Sequence, residues 1–274
     1  MKELAAVALL AAGTACAADL TPMKDAGPYV PSPQSVVSDM LRYADVSERD
    51  FLIDLGSGDG RIVLTAAKVF GARGFGVEIK EDLVKRANEA AAKEGIDARV
   101  KFVKADLFKT DISQATIITM YLLPDTVNML KEKFLTELKP GTRIVSHDYP
   151  LTGWIPEKYV QMDLEEKVQI SGVTTTLIYL YIVPAKVGGK WEAKMPAAVS
   201  RQPATLQLKQ QLTRVSGSLR VDRRDVPLED AKLRGDKLTF RLAGRKGEFS
   251  GTVKGNAIEG TLDGKTPWTA SSAN

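Results

Sequence analysis

The 274-residue chain contains one cysteine and one histidine. A single cysteine excludes a disulfide framework and any cysteine-based zinc site, and a single histidine excludes a multi-histidine metal centre. A nucleophile–histidine–acid triad would have to use His147. Aromatic residues are few, at 7%, and no stacking motif of the ribonucleoprotein kind occurs, which disfavours a nucleic-acid partner. No apolar run reaches the ~18 residues that a membrane helix requires. What is present is ordinary globular composition, 44% hydrophobic and 26% charged, so wholesale disorder is excluded.

The net charge of +4 conceals a split. Residues 1–189 carry 22 basic and 25 acidic side chains, net −3, whereas residues 190–274 carry 16 and 9, net +7. Two domains with different surfaces are expected.

The N-terminus reads MKELAAVALLAAGTACAA, with Lys2, an apolar stretch from Leu4 to Ala12, and small residues ending in Ala15-Cys16-Ala17. This is the layout of a secretory signal peptide over residues 1–18, and it predicts an exported, periplasmic or secreted, protein. Glu3 beside Lys2 is atypical of such leaders, and Gly13 sits where a lipoprotein would carry Leu. The alternative is an Ala-rich helix of the folded protein, which would leave the chain in the cytoplasm. Residues 19–34 are proline-rich and read as an extended lead-in.

Residues 35–43 show helical spacing, with Val36, Val37, Met40 and Leu41 on one face. Phe51-Leu52-Ile53 then reads as a buried strand running into Asp54-Leu55-Gly56-Ser57-Gly58-Asp59-Gly60, followed by a second helical pattern from Arg61 to Phe70. Strand, glycine turn and helix make the first unit of a doubly wound α/β sheet, whose ligands sit beyond the carboxyl ends of the strands. The glycines do not fit the dinucleotide fingerprint, because Arg61 follows Gly60, and the P-loop lysine is absent. Two carboxylates in the turn would repel a pyrophosphate and suit a cation.

The motif resembles the first motif of class I S-adenosylmethionine (SAM)-dependent methyltransferases, whose cofactor carries a sulfonium and an ammonium. The resemblance implies a Rossmann-like domain and a cofactor site at Asp54, Gly56, Ser57, Gly58 and Gly60. Glu78 ends a second strand 24 residues after Asp54, where a carboxylate can accept both ribose hydroxyls. Asp106, followed by Leu107, ends a third strand, where it can accept from the adenine amine. Either acid alone could be a helix N-cap; three acids at successive strand ends after a glycine turn form a specific constellation. Further strands are expected at residues 115–120 and 142–146, with a helix over 126–138 between them. A final antiparallel pair is expected at about 165–170 and 174–183.

Gly27-Pro28-Tyr29-Val30-Pro31-Ser32, the Asp54–Val63 stretch and Tyr121-Leu122-Leu123-Pro124 resemble one subgroup more closely. This is the small protein-lysine methyltransferase family acting on mitochondrial ATP synthase and the adenine nucleotide translocase, and the likeness covers roughly residues 27–155. It implies that the lead-in closes over SAM, making Tyr29 and Ser32 cofactor contacts, and that Tyr121 and Pro124 lie on the acceptor side. His147, at the end of the fifth strand, and Asp125 are candidate bases for a lysine that must lose its proton. No metal is implied. The chain departs from that subgroup in its apparent secretion signal and in its extra C-terminal region.

Residues 35–185 are thus expected to form the methyltransferase domain and 186–190 a linker. Residues 191–274 should form a small antiparallel β-domain, because strand-length runs such as 206–208, 215–219, 233–238, 249–253 and 258–262 alternate with turns. Trp191 and Trp268 bracket it. Its basic excess suits an acidic partner or an anionic membrane surface, or simply a solvated face. The leading function is methyl transfer from SAM to an amine, with a protein lysine as acceptor. The alternatives are a small-molecule acceptor and a non-catalytic SAM-binding fold serving as scaffold for the β-domain.

Overall fold

The computed structural model describes residues 27–273; the leader assigned to residues 1–18, and residues 19–26 of the lead-in, lie outside them. The first domain is a seven-stranded sheet in the order β3-β2-β1-β4-β5-β7-β6. Its elements in chain order are α1 (Gln34–Tyr43), β1 (Phe51–Leu55), α2 (Arg61–Phe70), β2 (Arg73–Glu78), α3 (Glu81–Lys93), β3 (Val100–Lys104) and β4 (Ile117–Met120). There follow α4 (Pro124–Met129), α5 (Lys131–Glu137), β5 (Arg143–His147), β6 (Lys158–Asp163), α6 (Glu165–Ser171) and β7 (Thr175–Ile182). Strands β1 to β5 run parallel, and β7 lies antiparallel between β5 and β6. This is a doubly wound α/β architecture.

Alternation along the central strand divides the core between the two faces of the sheet. Leu52 packs with Val36, Met40, Val63 and Ala87 of the α1, α2 and α3 side. Its neighbours Ile53 and Leu55 point the other way, onto Val127 and Phe134 of α4 and α5. The chain order then reverses direction between β1 and β4, which leaves a crevice beyond their carboxyl ends.

Two local expectations are corrected. The helix expected over 126–138 is two short helices that meet at Leu130. The strand expected at about 165–170 is α6, and the partner of β7 is β6 instead. Glu165 and Glu166 stabilise the N-terminal end of α6, and Gly172 terminates it in the left-handed conformation.

The second domain is a closed antiparallel barrel of eight strands: β8 (Gly189–Lys194), β9 (Ala204–Gln211), β10 (Arg214–Val221), β11 (Arg224–Arg234), β12 (Lys237–Leu242), β13 (Phe249–Lys254), β14 (Ala257–Leu262) and β15 (Thr266–Ser272). The run read at 233–238 is therefore the β11–β12 hairpin turn. Side chains fill the interior: Trp268 lies edge-on to Phe240 and Phe249, while Trp191 is buried in the same core with its indole N–H donated to the Val187 carbonyl. Closure removes the exposed edges that an open sheet of this size would carry.

The barrel meets the first domain where β5 begins and β7 ends. Ala185 N–H donates to the Gly235 carbonyl, and Arg234 pairs with Glu157 at 2.7 Å. A Cβ on Gly235 would lie 3.0 Å from the Cα of Gly141. This contact is at the opposite end of the parallel strands from the crevice.

Candidate active site

The crevice is a cleft of about 1000 Å³ including its open mouth. Its lining comes from the lead-in, the glycine turn, the ends of β2 and β3, and the segment after β4. Of the cofactor residues expected from sequence, Tyr29, Ser32, Asp54, Gly56, Ser57, Gly58, Glu78 and Leu107 all line it. Gly60 and Asp106 do not. Gly60 stands behind the turn at the start of α2, packed against Phe102 and Ala87. Asp106 is buried, and its Oδ1 accepts the Phe108 N–H at 2.8 Å, so it shapes the turn after β3.

Glu78 braces the glycine turn. Its Oε2 accepts the Gly58 N–H at 2.9 Å, and its Oε1 accepts those of Ile79 and Lys80 at 2.8 and 3.0 Å. A carboxylate oxygen has two lone pairs, so acceptor capacity remains for a ligand's hydroxyls. Gly58 has φ +54°, and a Cβ there would come within 2.4 Å of the Tyr29 ring, so only glycine lets the lead-in settle on the turn.

Asp54, 2% exposed, accepts from the Thr119 hydroxyl at 2.7 Å. Burial pushes its carboxyl up to about 7; the Thr119 bond partly offsets this, and the charges of Glu78 and Asp59 add to it. A buried carboxyl of this kind suits a cationic ligand. Ser57 Oγ, in the same lining, is buried with no hydrogen-bond partner among the described residues.

Asp59 and Arg61 fasten the lead-in. Arg61 forks onto both oxygens of Asp59, at 2.9 Å from Nε to Oδ1 and 2.6 Å from Nη2 to Oδ2, and donates to the Ser32 carbonyl at 2.7 Å. Burial, and then the charge of nearby Asp59, push the Tyr29 hydroxyl above its ordinary value. Burial raises the Asp59 carboxyl, but the Arg61 hydrogen bonds and charge more than reverse this and hold it below its ordinary value.

On the acceptor side, Tyr121 and Tyr149 line the cleft with rings stacked 6.4 Å apart. His147 lies behind Tyr121, ring centroids 4.0 Å apart, fully buried and outside the lining. Its Nδ1 is 2.8 Å from Ser32 Oγ, and burial lowers its pKa to about 4, so at neutral pH it is an uncharged support. Its link to the cleft runs through the Ser32 hydroxyl, so it does not touch an acceptor amine directly. Asp125 is likewise outside the lining, exposed in the first turn of α4, where it favours the helix N-terminus. Pro124 opens that same helix, also outside the lining.

The model of the ANTKMT methyltransferase domain matches residues 54–158. A protein-lysine N-methyltransferase of Saccharolobus islandicus is 43% identical over 157 residues, 57% of this chain and 93% of that protein. The chain belongs to the small protein-lysine methyltransferase family. An adenine nucleotide translocase lysine N-methyltransferase of Mus musculus is 36% identical over 105 residues, 38% of this chain; the match spans only 46% of that relative. Among solved structures, an RNA methyltransferase of Salinibacter ruber in complex with S-adenosyl-L-homocysteine is 44% identical, with TM-score 0.52, covering 58% of this chain and 96% of that one. The family model ends before the barrel begins.

The protein is thus a SAM-dependent methyltransferase, and the cleft fits its cofactor. The acidic interior at Asp54 suits the cofactor's positive charge, Glu78 its ribose, and Leu107 with Val77 an apolar slot for a base. Sequence reasoning missed Asp59, Arg61, Thr119, Tyr149, Asp148 and Lys167 as members of the site. Asp59 and Arg61 stood inside the recognised motif, and Asp148 beside His147. Lys167 was hidden because its segment reads as a strand.

Proposed function

We propose that this methyltransferase acts on the side-chain amine of a protein lysine. The observation that carries this reading is the acceptor wall: two tyrosines, with no unpaired cation beside them among the described residues for a phosphate backbone. Of the two cationic side chains in the lining, Arg61 is paired to Asp59, and Lys80 lies on the cofactor side after β2. The 43% identity to an archaeal protein-lysine N-methyltransferase supports the same acceptor.

Catalysis asks for alignment more than for acid–base chemistry. When bound, SAM supplies an activated methyl, whose carbon–sulfur bond breaks as the amine nitrogen bonds the carbon and sulfur keeps the electron pair as a neutral thioether. The chain's part is to hold the neutral amine in line ~3 Å from that carbon and to keep water out beneath the Tyr29 lead-in. The methylated nitrogen becomes an ammonium and releases a proton to solvent.

Incubation with labelled SAM and a cell extract, followed by acid hydrolysis, tests this. Label in methyl-lysine is expected; label confined to RNA or to small molecules overturns the lysine acceptor. The basic barrel face suits an acidic partner or an anionic membrane surface, supported by Lys209, Arg214 and Lys232. These lie on neighbouring strands, exposed, with no acidic partner among the described residues. Residues 1–18 suit an export signal; N-terminal sequencing that finds a mature start near Asp19 is the expected result.

A further inference from the structure

Behind the acceptor wall lies a buried ion pair that methyl transfer, as described, does not use. Lys167 of α6 is 2% exposed, and its ammonium lies 2.8 and 2.7 Å from the two oxygens of Asp148 while also donating to the Thr175 carbonyl. Asp148 is held from a second side by β7: its Oδ1 accepts the Leu177 N–H at 3.0 Å, and its own N–H donates to the Leu177 carbonyl at 2.7 Å. It has φ +62°, a conformation unusual for a residue other than glycine, which turns the chain so that Tyr149 reaches the cleft. The Tyr121 ring lies on His147, centroids 4.0 Å apart, and the Nε2 of His147 is 3.5 Å from Asp148 Oδ1.

We propose that Tyr121 and Tyr149 form the subsite for the acceptor amine, with the Asp148–Lys167 pair as its positioning device. This rests on the amine reading above and goes beyond it by naming the groups that meet the nitrogen. Tyr121 lines the cleft, and its hydroxyl oxygen has lone pairs to offer there. That oxygen accepts an N–H of the neutral amine, which fixes the nitrogen and leaves its lone pair free to take the methyl. As the nitrogen gains positive charge, the electron-rich face of Tyr149 and the Tyr121 oxygen stabilise it. Lys167 fixes the direction of the Asp148 carboxylate, and with it the turn that carries Tyr149 to the cleft. The other titratable groups facing Asp148 are His147 on β5, whose Nε2 is 3.5 Å away, and Tyr179 on β7.

The test compares rates of lysine methylation in a cell extract with labelled SAM, with SAM affinity measured by calorimetry on the same proteins. Tyr121→Phe is expected to lower the rate about 100-fold with SAM affinity within about twofold. Lys167→Met releases the carboxylate and the turn that carries Tyr149, so the rate should fall about tenfold with SAM affinity within about twofold, and Lys167→Arg should restore the rate. Should Lys167→Met fail to fold, Asp148→Asn with Lys167→Met removes both charges together. It is expected to bind SAM and to lose rate to a similar degree. A wild-type rate in Tyr121→Phe, or in folded Lys167→Met, overturns the subsite while leaving lysine methylation intact. Wild-type label found only outside lysine removes both.

Discussion

The Ser32 hydroxyl and Nδ1 of His147 lie 2.8 Å apart across 115 residues of sequence, and this bond fastens the lead-in to the end of β5. The lone histidine therefore serves as a post: it holds the cofactor cover on one side and carries the Tyr121 ring on the other. Ser32→Ala is expected to weaken SAM binding about three- to tenfold, the value of one buried hydrogen bond at ~1 kcal/mol. Calorimetry checks this, and an unchanged affinity would show that Arg61 alone holds the cover.

Asp54 makes cofactor binding and stability respond to pH in opposite directions. Its folded pKa, about 7, lies above its unfolded value, so its contribution to stability is complete below about pH 4 and is lost as pH rises through about 7. The shift corresponds to ~4 kcal/mol at most. The melting temperature of the cofactor-free protein should fall between about pH 4 and about pH 7 from this group, while the stabilisation conferred by SAM grows over the same range. Asp54→Asn should flatten both trends. Thermal melts with and without SAM decide it.

Glu78 has two duties, and its removal should show both. Glu78→Ala leaves the N–H groups of Gly58, Ile79 and Lys80 without their acceptor, as well as deleting the carboxylate expected to meet the ribose. SAM affinity should fall at least ~100-fold, with a lower melting temperature, because unsatisfied buried donors cost ~1–3 kcal/mol each.

Gly58→Ala tests the closed lead-in differently. The new Cβ would strike the Tyr29 ring, at a backbone angle where alanine is itself strained. About tenfold weaker SAM binding is expected. A crystal structure of the variant should show Tyr29 displaced; Tyr29 in its present place would refute the argument.

Reversing Lys209, Arg214 and Lys232 to Glu should leave SAM affinity unchanged, since the barrel meets the first domain far from the cleft. Binding of the whole protein to vesicles containing anionic lipid, measured by sedimentation, should be lost. Vesicles that never bind the unaltered protein would exclude the membrane partner and leave the acidic one.

The cofactor half of the site was legible because it is local. Asp54 to Gly60 is one continuous stretch, and Glu78 follows at the spacing of a single strand–helix–strand unit. The acceptor half was legible only at Tyr121, because Asp148 and Lys167 meet only after β7 doubles back beside β5. Lys167 also sits in a segment whose alternating Val168 and Ile170 imitate a strand, and only Glu165, Glu166 and Gly172 betray a helix. His147 illustrates the converse: a histidine at a strand end invites a catalytic reading, but burial, which sequence spacing does not report, makes it a support. The barrel was legible as alternating runs, but its closure depends on β15 returning to β8, a pairing between the two ends of the domain.

That docking at the start of β5 also sets a reach. The barrel and the mouth of the cleft are separated by at least the length of the parallel strands, roughly 17 Å for five residues. A folded body held against the barrel does not bring its own surface to Tyr121; only a flexible extension can cross the gap, and about five extended residues is the shortest that spans it. Any acceptor recruited through the barrel is therefore selected by the length of its tail as well as by the residue at its tip.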